Sequence, residues 1–279
     1  MKNILKKSKK LYFILVLIKF WTERFLEELK NFYYKKINVK KIKYYKEYKK
    51  TRKAKGVVYT CIIDNYDTLK AQKYIENDWD YICFTNNKKL KSDGIWEIRD
   101  LKYSKLDNTR NNRWHKLNPH LILPKYDKSL YIDGNIRILS KKFFEILEIN
   151  SSKIFLAASH PSRTCLYEEA KICKQLKLEN EKIINRQIEI IKKDKFPEDY
   201  GLYEANILYR LHNNVTIKKL DEEWWEFVNT LAKRDQLSLT YLCWKNNIPF
   251  EVFKNINFRK KNNLIEITPH RKFRNTILI

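Results

Sequence analysis

The sequence predicts an α/β protein in which a mostly parallel, doubly wound sheet is flanked by helices. Continuous apolar runs of strand length end in polar residues, which is typical of buried parallel strands that carry a loop to one edge of a sheet. Segments with helical spacing of apolar residues alternate with these runs, as in βαβ units. The chain has 279 residues, 43% of them hydrophobic, which is enough for a substantial core.

The elements follow in chain order. The first strand is predicted over 56–67, where an apolar run ends in polar residues. The further strand candidates are 80–87, 95–101, 128–133, 153–160, 201–212 and 252–259. The helix candidates are 107–123, 141–148, 166–193, 221–232 and 234–247. Pro119 lies inside the first of these helices, so a kink or a new turn is expected there.

The segment SLYIDGNIRILS, residues 129–140, allows two interpretations. Asp133 and Gly134 lie between apolar residues, which is a strong local signal for a two-residue β-hairpin turn. The same residues also fit a carboxylate and an amide, Asp133 and Asn135, at the end of a buried strand. The two interpretations are compatible, because Gly134 permits both a sharp turn and close approach of a ligand.

Composition excludes several classes of site. Only four glycines are present, so neither a G-x-G-x-x-G nor a Walker-type phosphate loop can be built. Any nucleotide phosphate must therefore be bound by a metal ion or by cationic side chains. The five cysteines include no C-x-x-C pair, which argues against a zinc ribbon. Their apolar surroundings indicate buried free thiols in a reducing compartment.

The basic charge is concentrated in an N-terminal arm, residues 1–53. This arm holds 18 Lys or Arg and four Glu, a net charge of +14, against 40 basic and 29 acidic residues in the rest. The apolar stretch Leu11–Trp21 spans about 16 Å as a helix, about half the hydrocarbon core. The arm therefore predicts either an amphipathic helix on an anionic membrane or a basic helix packed on the body. Nucleic acid is not expected as a partner, since no recognised module follows.

Polar residues gather at the predicted strand ends, where open α/β sheets bind their ligands. Carboxylate and amide oxygens there favour Mg²⁺ or Mn²⁺, whose shell substrate phosphates can complete. Arg110, Arg113 and Lys116 follow at i, i+3 and i+6 of a predicted helix, which suits a diphosphate or simply a solvated basic face. His160 and His212 fit either a site or structural positions at strand ends. The strand-end residues are Thr60, Asp64, Asn65, Tyr66, Asp67, Asn86, Asn87, Asp133, Asn135 and His160.

Seven blocks in this order carry a family resemblance. They include VVYTCIIDNYDTL, DYICFTNN, RNNRWHKLNPHLILPKYDKSLYIDGNIRI, ASHPSRTCLYEEAKIC, GLYEANILYRLHN, WWEFV and RDQLS. Over about residues 55–245 the chain resembles a glycosyltransferase family first catalogued as a domain of unknown function. Its plant members include rhamnogalacturonan galacturonosyltransferases, and bacterial members occur with surface-polysaccharide genes. A more distant similarity connects the chain to the glycogenin-type retaining transferases.

The resemblance implies a GT-A-like fold, a nucleotide-sugar donor and a metal site. It implies that Asp133 and Asn135 hold Mn²⁺ or Mg²⁺ on the donor diphosphate, with Asn135 in place of the second carboxylate of an Asp-x-Asp motif. By the same similarity, His270 completes the metal shell. Asp235 and Gln236 are implied to lie near the reacting anomeric carbon.

The donor contacts are likewise carried over from the resemblance. Thr60, Asn65 and Tyr66 are implied to contact the base and ribose, and Arg113 and Lys116 the diphosphate region. Asp133 is also implied to contact the donor through its metal.

The sequence as a whole predicts a glycosyltransferase that moves a sugar, hexosyl or uronosyl, from a nucleotide-diphosphate sugar to a glycan or lipid-linked glycan acceptor. The donor is expected to be UDP-linked, the reaction metal-assisted and retaining, and the product part of a surface polysaccharide or lipo-oligosaccharide. We expect an arm over 1–53, a catalytic domain over 54–260 and a tail over 261–279. The expected place is the cytoplasmic side of the inner membrane, bound peripherally. The alternative is a non-catalytic basic protein that binds nucleic acid or an anionic membrane through residues 1–53.

Overall fold

The structure is a computed structural model that describes residues 18, 21–23, 25–26, 28–29, 39–92, 94–253, 256–259, 262–268 and 270. The chain divides into two compact units, Met1–Tyr44 and Tyr45–Ile279. In the first unit the described positions between 18 and 29 are helical. Most of the predicted arm over 1–53 and the last part of the predicted tail, 271–279, lie outside the described residues.

The second unit is built on a six-stranded sheet with the order β3-β2-β1-β4-β7-β6. The strands are β1 (Gly56–Ile62), β2 (Trp79–Thr85), β3 (Glu97–Asp100), β4 (Ser129–Ile132), β5 (Ile136–Ile138), β6 (Phe155–Ser159), β7 (Tyr203–Arg210) and β8 (Ile265–Ile267). Strands β3, β2, β1 and β4 are parallel to one another, whereas β7 runs antiparallel to both β4 and β6. The predicted α/β class with a mostly parallel sheet is confirmed.

The central strands are buried on both faces, which explains their unbroken apolar sequence. All seven residues of β1 are buried. Val58 is paired with Leu130 of β4 on one side and with Tyr81 of β2 on the other. Each such side chain contributes roughly 1.5–3 kcal/mol on burial. All five cysteines are buried free thiols, as predicted.

Helices alternate with these strands along the chain. They are α1 (Val39–Thr51), α2 (Asn108–Leu117), α3 (Pro119–Ile122), α4 (Lys141–Ile149), α5 (Leu166–Gln175), α6 (Glu181–Lys193), α7 (Val215–Thr230) and α8 (Gln236–Lys245). None of the helices formed by the described residues is long and apolar enough to cross a bilayer.

Two expectations about the helices have different outcomes. Pro119 starts a new helix, as expected, because the residue before a proline is disfavoured in the α region. The predicted single helix over 166–193 is wrong: it is two helices, α5 and α6. Lys177 between them adopts φ = 51°, and the side chain of Asn180 caps α6.

The segment after β4 forms a turn without a hairpin. The N–H of Ile136 donates to the carbonyl of Asp133 at 2.9 Å, yet β5 pairs antiparallel with β8 instead of β4. A strand over 252–259 was expected, but among the described residues of that range only Val252 makes a bridge, to Ala157. The hairpin prediction fails because the partner of β5 lies more than a hundred residues downstream.

A buried ion pair ties the sheet to the helices that carry the site. Arg210 of β7 donates to Asp221 of α7 at 2.7 Å, and both side chains are fully buried. The second guanidinium nitrogen donates to the carbonyl of Lys116 at 2.7 Å and contacts the hydroxyl of Tyr59. The carboxyl end of α2 is therefore fixed against β1 and β7.

Candidate active site

A cavity of about 740 Å³ opens at the carboxyl ends of β1 and β4. Its size falls within the range of small-molecule sites. It is lined by Cys61, Ile62, Ile63, Asp64, Asn65, Tyr66, Asp67, Asn108, Thr109, Asn112, Arg113, Tyr131, Asp133, Gly134, Arg234 and His270. This is the edge of a parallel sheet at which ligands of open α/β folds bind.

One wall of the cavity is a network of amides and a carboxylate at the ends of β1 and β2. The N–H of Asp64, a residue with φ = 51°, donates to the side-chain oxygen of Asn86 at 2.7 Å. The carboxylate of Asp64 accepts from the amides of Asn86 at 2.6 Å and Asn108 at 2.5 Å. The amide of Asn87 donates to Asn65 at 3.2 Å. These contacts preorganise several polar groups around Asp64 without help from a ligand.

Helix α2 begins beside this wall, and its cationic side chains have different partners. The side chain of Asp107 caps the helix by accepting from the backbone N–H groups of Thr109 and Arg110. Arg110 pairs with Asp107 at 2.8 Å and donates to the carbonyls of Val228 and Leu231. Its role is therefore to tie α2 to the end of α7.

Arg113 and Lys116 share one buried carboxylate. The Nε of Arg113 lies 3.1 Å and the Nζ of Lys116 2.5 Å from the same oxygen of Asp235. Burial alone would raise the pKa of Asp235, but Arg113 and Lys116 outweigh it and hold that pKa at about 2. Burial lowers the pKa of Lys116, whose ammonium also lies 5.0 Å from the ring centre of Tyr131. Of the three ionic groups, only Arg113 lines the cavity.

Asp133 lies where β4 ends. Its N–H donates to the carbonyl of Asn206 on β7 at 3.0 Å, and its carboxylate accepts from the hydroxyl of Tyr131 at 3.0 Å. Glycine at the next position allows close packing, because a Cβ at Gly134 would lie 2.9 Å from the side chain of Ile62, which would have to shift. The turn therefore presses against β1 and presents Asp133 to the cavity.

The β5–β8 pair brings the C-terminal segment to the same place. The amide nitrogen of Asn135 donates to the carbonyl of Thr268 at 2.7 Å, and the N–H of Thr268 donates to the carbonyl of Asn135 at 3.0 Å. Two residues later, the Nδ1 of His270 is 2.6 Å from the carboxylate of Asp67. This hydrogen bond raises the pKa of His270. The ring of His270 also contacts that of Tyr66, with centroids 5.1 Å apart.

The donor chemistry around Asp133 fits a hard divalent cation. Within the described part of the chain no three His, Cys, Asp or Glu side chains gather as a metal cage. Mg²⁺ and Mn²⁺ need no such cage when substrate phosphates supply ligands. Because Nδ1 of His270 is engaged by Asp67, Nε2 is the ring nitrogen that would hold a metal ion, and the carboxylate would orient the ring as it does for many metal-bound histidines. The side-chain nitrogen of Asn135 donates to Thr268, so the side-chain oxygen is the atom of this amide that could bind a cation.

The predicted site residues divide into two groups. Asn65, Tyr66, Arg113, Asp133 and His270 line the cavity together. The others are buried behind its walls, and they are Thr60, Lys116, Asn135, Asp235 and Gln236. The side chains of Thr60 and Gln236 each retain a polar atom without a hydrogen-bond partner among the described residues.

Sequence reasoning assigned no role to several residues of the cavity. Asp64 and Asp67 stood out as strand-end residues, but their partners Asn108 and His270 lie far along the chain. Asn112, Tyr131 and Arg234 were not selected at all. For Tyr131 a signal existed, since i and i+2 residues of a strand share a face and Asp133 follows it by two.

The comparisons with known proteins identify the family of the chain. Residues 36–270 match the TOD1/MUCI70, glycosyltransferase-like domain, and the chain belongs to that family. The class of domain that defines this family is glycosyltransferase-like. The match begins at residue 36, inside the arm predicted over 1–53.

One curated relative and two solved structures illustrate the similarity. The probable hexosyltransferase MUCI70 of Arabidopsis thaliana is 26% identical over 218 residues, which cover 66% of this chain and 36% of that protein. The chain thus spans about a third of that relative. The apo bifunctional glycosyltransferase WbbM matches with a TM-score of 0.41 and 10% identity over 69% of this chain and 38% of WbbM. GlyE of Streptococcus pneumoniae TIGR4 matches with a TM-score of 0.40 and 11% identity over 73% of this chain and 46% of GlyE.

Proposed function

We propose that this protein transfers a hexosyl residue from a UDP-linked sugar to a glycan or lipid-linked glycan, assisted by Mn²⁺ or Mg²⁺. One observation carries the proposal. A single cavity joins the Asp64 network, the guanidinium of Arg113 and the carboxylate of Asp133. In this proposal the cavity supplies groups for the base, the diphosphate and a metal ion of one nucleotide sugar.

In this proposal the residues act mainly through electrostatics. The carboxylate of Asp64 and the amide oxygen of Asn65 accept hydrogen bonds from the base and ribose. The guanidinium of Arg113 stabilises the charge that develops on the leaving diphosphate. A divalent metal held by Asp133, Asn135 and His270 would neutralise the same charge.

We propose further that the anomeric configuration is retained. The glycogenin-type transferases that the chain resembles retain this configuration, and the resemblance places Asp235 near the reacting carbon, where an inverting enzyme would need a general base. Asp235, with a pKa of about 2 and two cationic neighbours, is a poor proton acceptor. It is better suited to hold Arg113 and Lys116 in place near the reacting centre.

The test compares Asp133→Ala with Asp78→Ala, a variant at the opposite end of the sheet whose carboxylate pairs with Lys55. We expect UDP with Mn²⁺ to raise the melting temperature of the wild type and of Asp78→Ala. Asp133→Ala should lose that shift and release UDP from UDP-hexoses at least about 100-fold more slowly. Donor hydrolysis and metal-dependent stabilisation at wild-type levels in Asp133→Ala would refute the assignment.

We also propose that the arm binds the cytoplasmic surface of an anionic membrane. At the described positions between 18 and 29, large apolar side chains are exposed at helical spacing, namely Ile18, Trp21, Phe25, Leu26 and Leu29, whereas Tyr45 further along the arm is buried. Together with the net charge of +14, this suits an interfacial helix. The full chain should sediment with vesicles containing phosphatidylglycerol and release them at high salt. Binding of RNA without binding of these vesicles would favour the nucleic-acid alternative.

A further inference from the structure

A second polar cluster lies at the same sheet edge as Asp133. Its members are His160, Arg163, Glu169, Glu204 and Arg259. His160 directly follows β6, and Glu204 lies at the start of β7. Because β7 is antiparallel to both β4 and β6, the end of β6 and the start of β7 lie at the edge where β4 ends. The cluster is therefore on the side of the cavity away from the Asp64 network.

The charged groups of this cluster balance one another. Arg163 pairs with Glu169 at 2.7 Å, and Arg259 pairs with Glu204. The carboxylates of Glu169 and Glu204 are both about 95% buried. Since each guanidinium already has its carboxylate, the cluster holds no surplus positive charge for an anionic ligand.

The ring of His160 lies among N–H groups. Its Nδ1 is 3.3 Å from the backbone nitrogen of Ser162 and 3.0 Å from that of Arg163. Its Nε2 is 3.0 Å from the guanidinium of Arg163 and 3.1 Å from that of Arg259. Burial, with both arginines, lowers the pKa of His160 to about 4. The N–H groups of the two guanidiniums therefore converge beside this ring.

Strand β7 supplies the complementary acceptors. The Oε2 of Glu204 and the Oδ1 of Asn206 are buried and have no hydrogen-bond partner in the described part of the chain. The two residues are at i and i+2 of one strand and share a face. The carbonyl of Asn206 also accepts from Asp133 at 3.0 Å, so the row of acceptors starts beside Asp133. Buried polar atoms in native proteins are almost always partnered.

We infer that this cluster, together with the side chain of Asn206, binds an uncharged sugar ring through its hydroxyl groups. A hydroxyl accepts from the converging N–H groups and donates to Glu204 or Asn206 at the same time. A uronate carboxylate would lie beside Glu204 with no spare cation to neutralise it. The inference rests on the proposed function and deepens it, because it favours hexoses over hexuronates.

Two sources can supply this sugar ring, namely the transferred sugar of the donor and the acceptor glycan. The experiment therefore has two arms, both with the full chain and Mn²⁺. One arm measures KM for hydrolysis of UDP-glucose, UDP-galactose and UDP-glucuronate, beside the Kd of UDP. The other measures how methyl glucosides, methyl galactosides and methyl glucuronide accelerate UDP release.

The variants are Glu204→Gln and Asn206→Ala, with Glu251→Gln as the matched control. Glu251 pairs with Lys153 and is outside the cavity and the cluster. We expect Glu204→Gln to leave the Kd of UDP within about twofold of the wild type. It should raise, by about tenfold or more, either KM for the UDP-hexose or the half-saturating concentration of the methyl hexoside. Asn206→Ala should change the same parameter, and Glu251→Gln neither.

Several results would overturn the inference. Unchanged hexose parameters in both variants mean that the cluster binds only water. A wild type that prefers UDP-glucuronate and methyl glucuronide contradicts an uncharged ligand without any variant. The inference also fails if no methyl hexoside acts and KM for UDP-hexoses is indifferent to Glu204→Gln and Asn206→Ala. If the wild type binds no UDP, the proposed function itself is refuted. That outcome is recognisable before the variants are compared.

Discussion

Asp235 shows how one buried carboxylate organises the cations of the cavity. It accepts from Lys116 at 2.5 Å and lies 3.1 Å from Arg113. The indole of Trp224 donates to its backbone carbonyl at 2.9 Å, which fixes the start of α8. The charge on Arg113 can face a diphosphate because its other side is already compensated.

Asp235→Asn should destabilise the protein by about 3–5 kcal/mol, because it leaves two buried cations without their counter-charge. Urea denaturation measures the loss. As a control, Glu97→Gln removes an exposed partner of Lys49 and Arg99 and should cost less than about 1 kcal/mol. Equal midpoints for the two variants would mean that Arg113 and Lys116 do not depend on Asp235.

His115 should make stability depend on pH. Its Nδ1 lies 2.8 Å from the carbonyl of Asn111 and its Nε2 accepts from the N–H of Lys102 at 2.8 Å, an arrangement that only the neutral ring satisfies. Burial lowers its pKa to about 4 in the folded protein. Between that value and the unfolded pKa of about 6.5 the unfolded chain binds more protons, so stability falls as the pH falls through this window.

The measurement is the pH dependence of the unfolding free energy from pH 7 to pH 4. His115→Gln should reduce proton uptake on unfolding at pH 5 by about one proton relative to the wild type. It is expected to lower stability at pH 7, where the ring is neutral in both states. Identical slopes of the unfolding free energy against pH in the two proteins would show that protonation of His115 does not destabilise the fold.

At the scale of elements, local signals explain which strands and helices the sequence predicts correctly, and long-range pairing explains those it misses. Strands β1, β2 and β4 are recognisable because burial on both faces demands continuous apolar runs. The start of α3 is recognisable at Pro119. The β5–β8 pair is not, since three-residue strands leave no pattern and their partner is far away in sequence. The break at Lys177 is missed because both α5 and α6 keep a helical apolar stripe.

The N-cap of α2 should affect both stability and the cavity. The side chain of Asp107 accepts from the N–H groups of Thr109 and Arg110, and Thr109 lines the cavity. Asp107→Ala should cost about 1–2 kcal/mol and weaken UDP binding several-fold. Asn180→Ala is the matched control, because Asn180 caps α6 away from the cavity. It should cost a similar free energy, measured by urea denaturation, while the Kd of UDP remains unchanged.

For the molecule as a whole, about half of the site can be read from the sequence. Residues at the ends of parallel strands must meet at one edge, which brings Asn65, Tyr66 and Asp133 together. The pairing of His270 with Asp67 spans 203 positions and needs tertiary structure. The burial of Asp235 behind Arg113 also depends on how α8 packs, and no spacing rule reports it. Resemblance to a family points to His270 and Asp235, whereas their partners emerge only from the folded chain.

The attachment of the C-terminal segment to the sheet gives the last prediction. The side-chain amide of Asn135 donates a hydrogen bond to the carbonyl of Thr268, two residues before His270. Asn135→Ala should therefore loosen residues 262–268 by local opening while β1 and β4 remain protected. Hydrogen exchange of peptides from these regions measures the difference. Thr268→Val is the graded comparison, because it removes only the hydroxyl bond to the carbonyl of Asn135 and should loosen the segment less. If hydrogen exchange in β1 rises in parallel with that of residues 262–268, the segment unfolds together with the sheet and does not open independently.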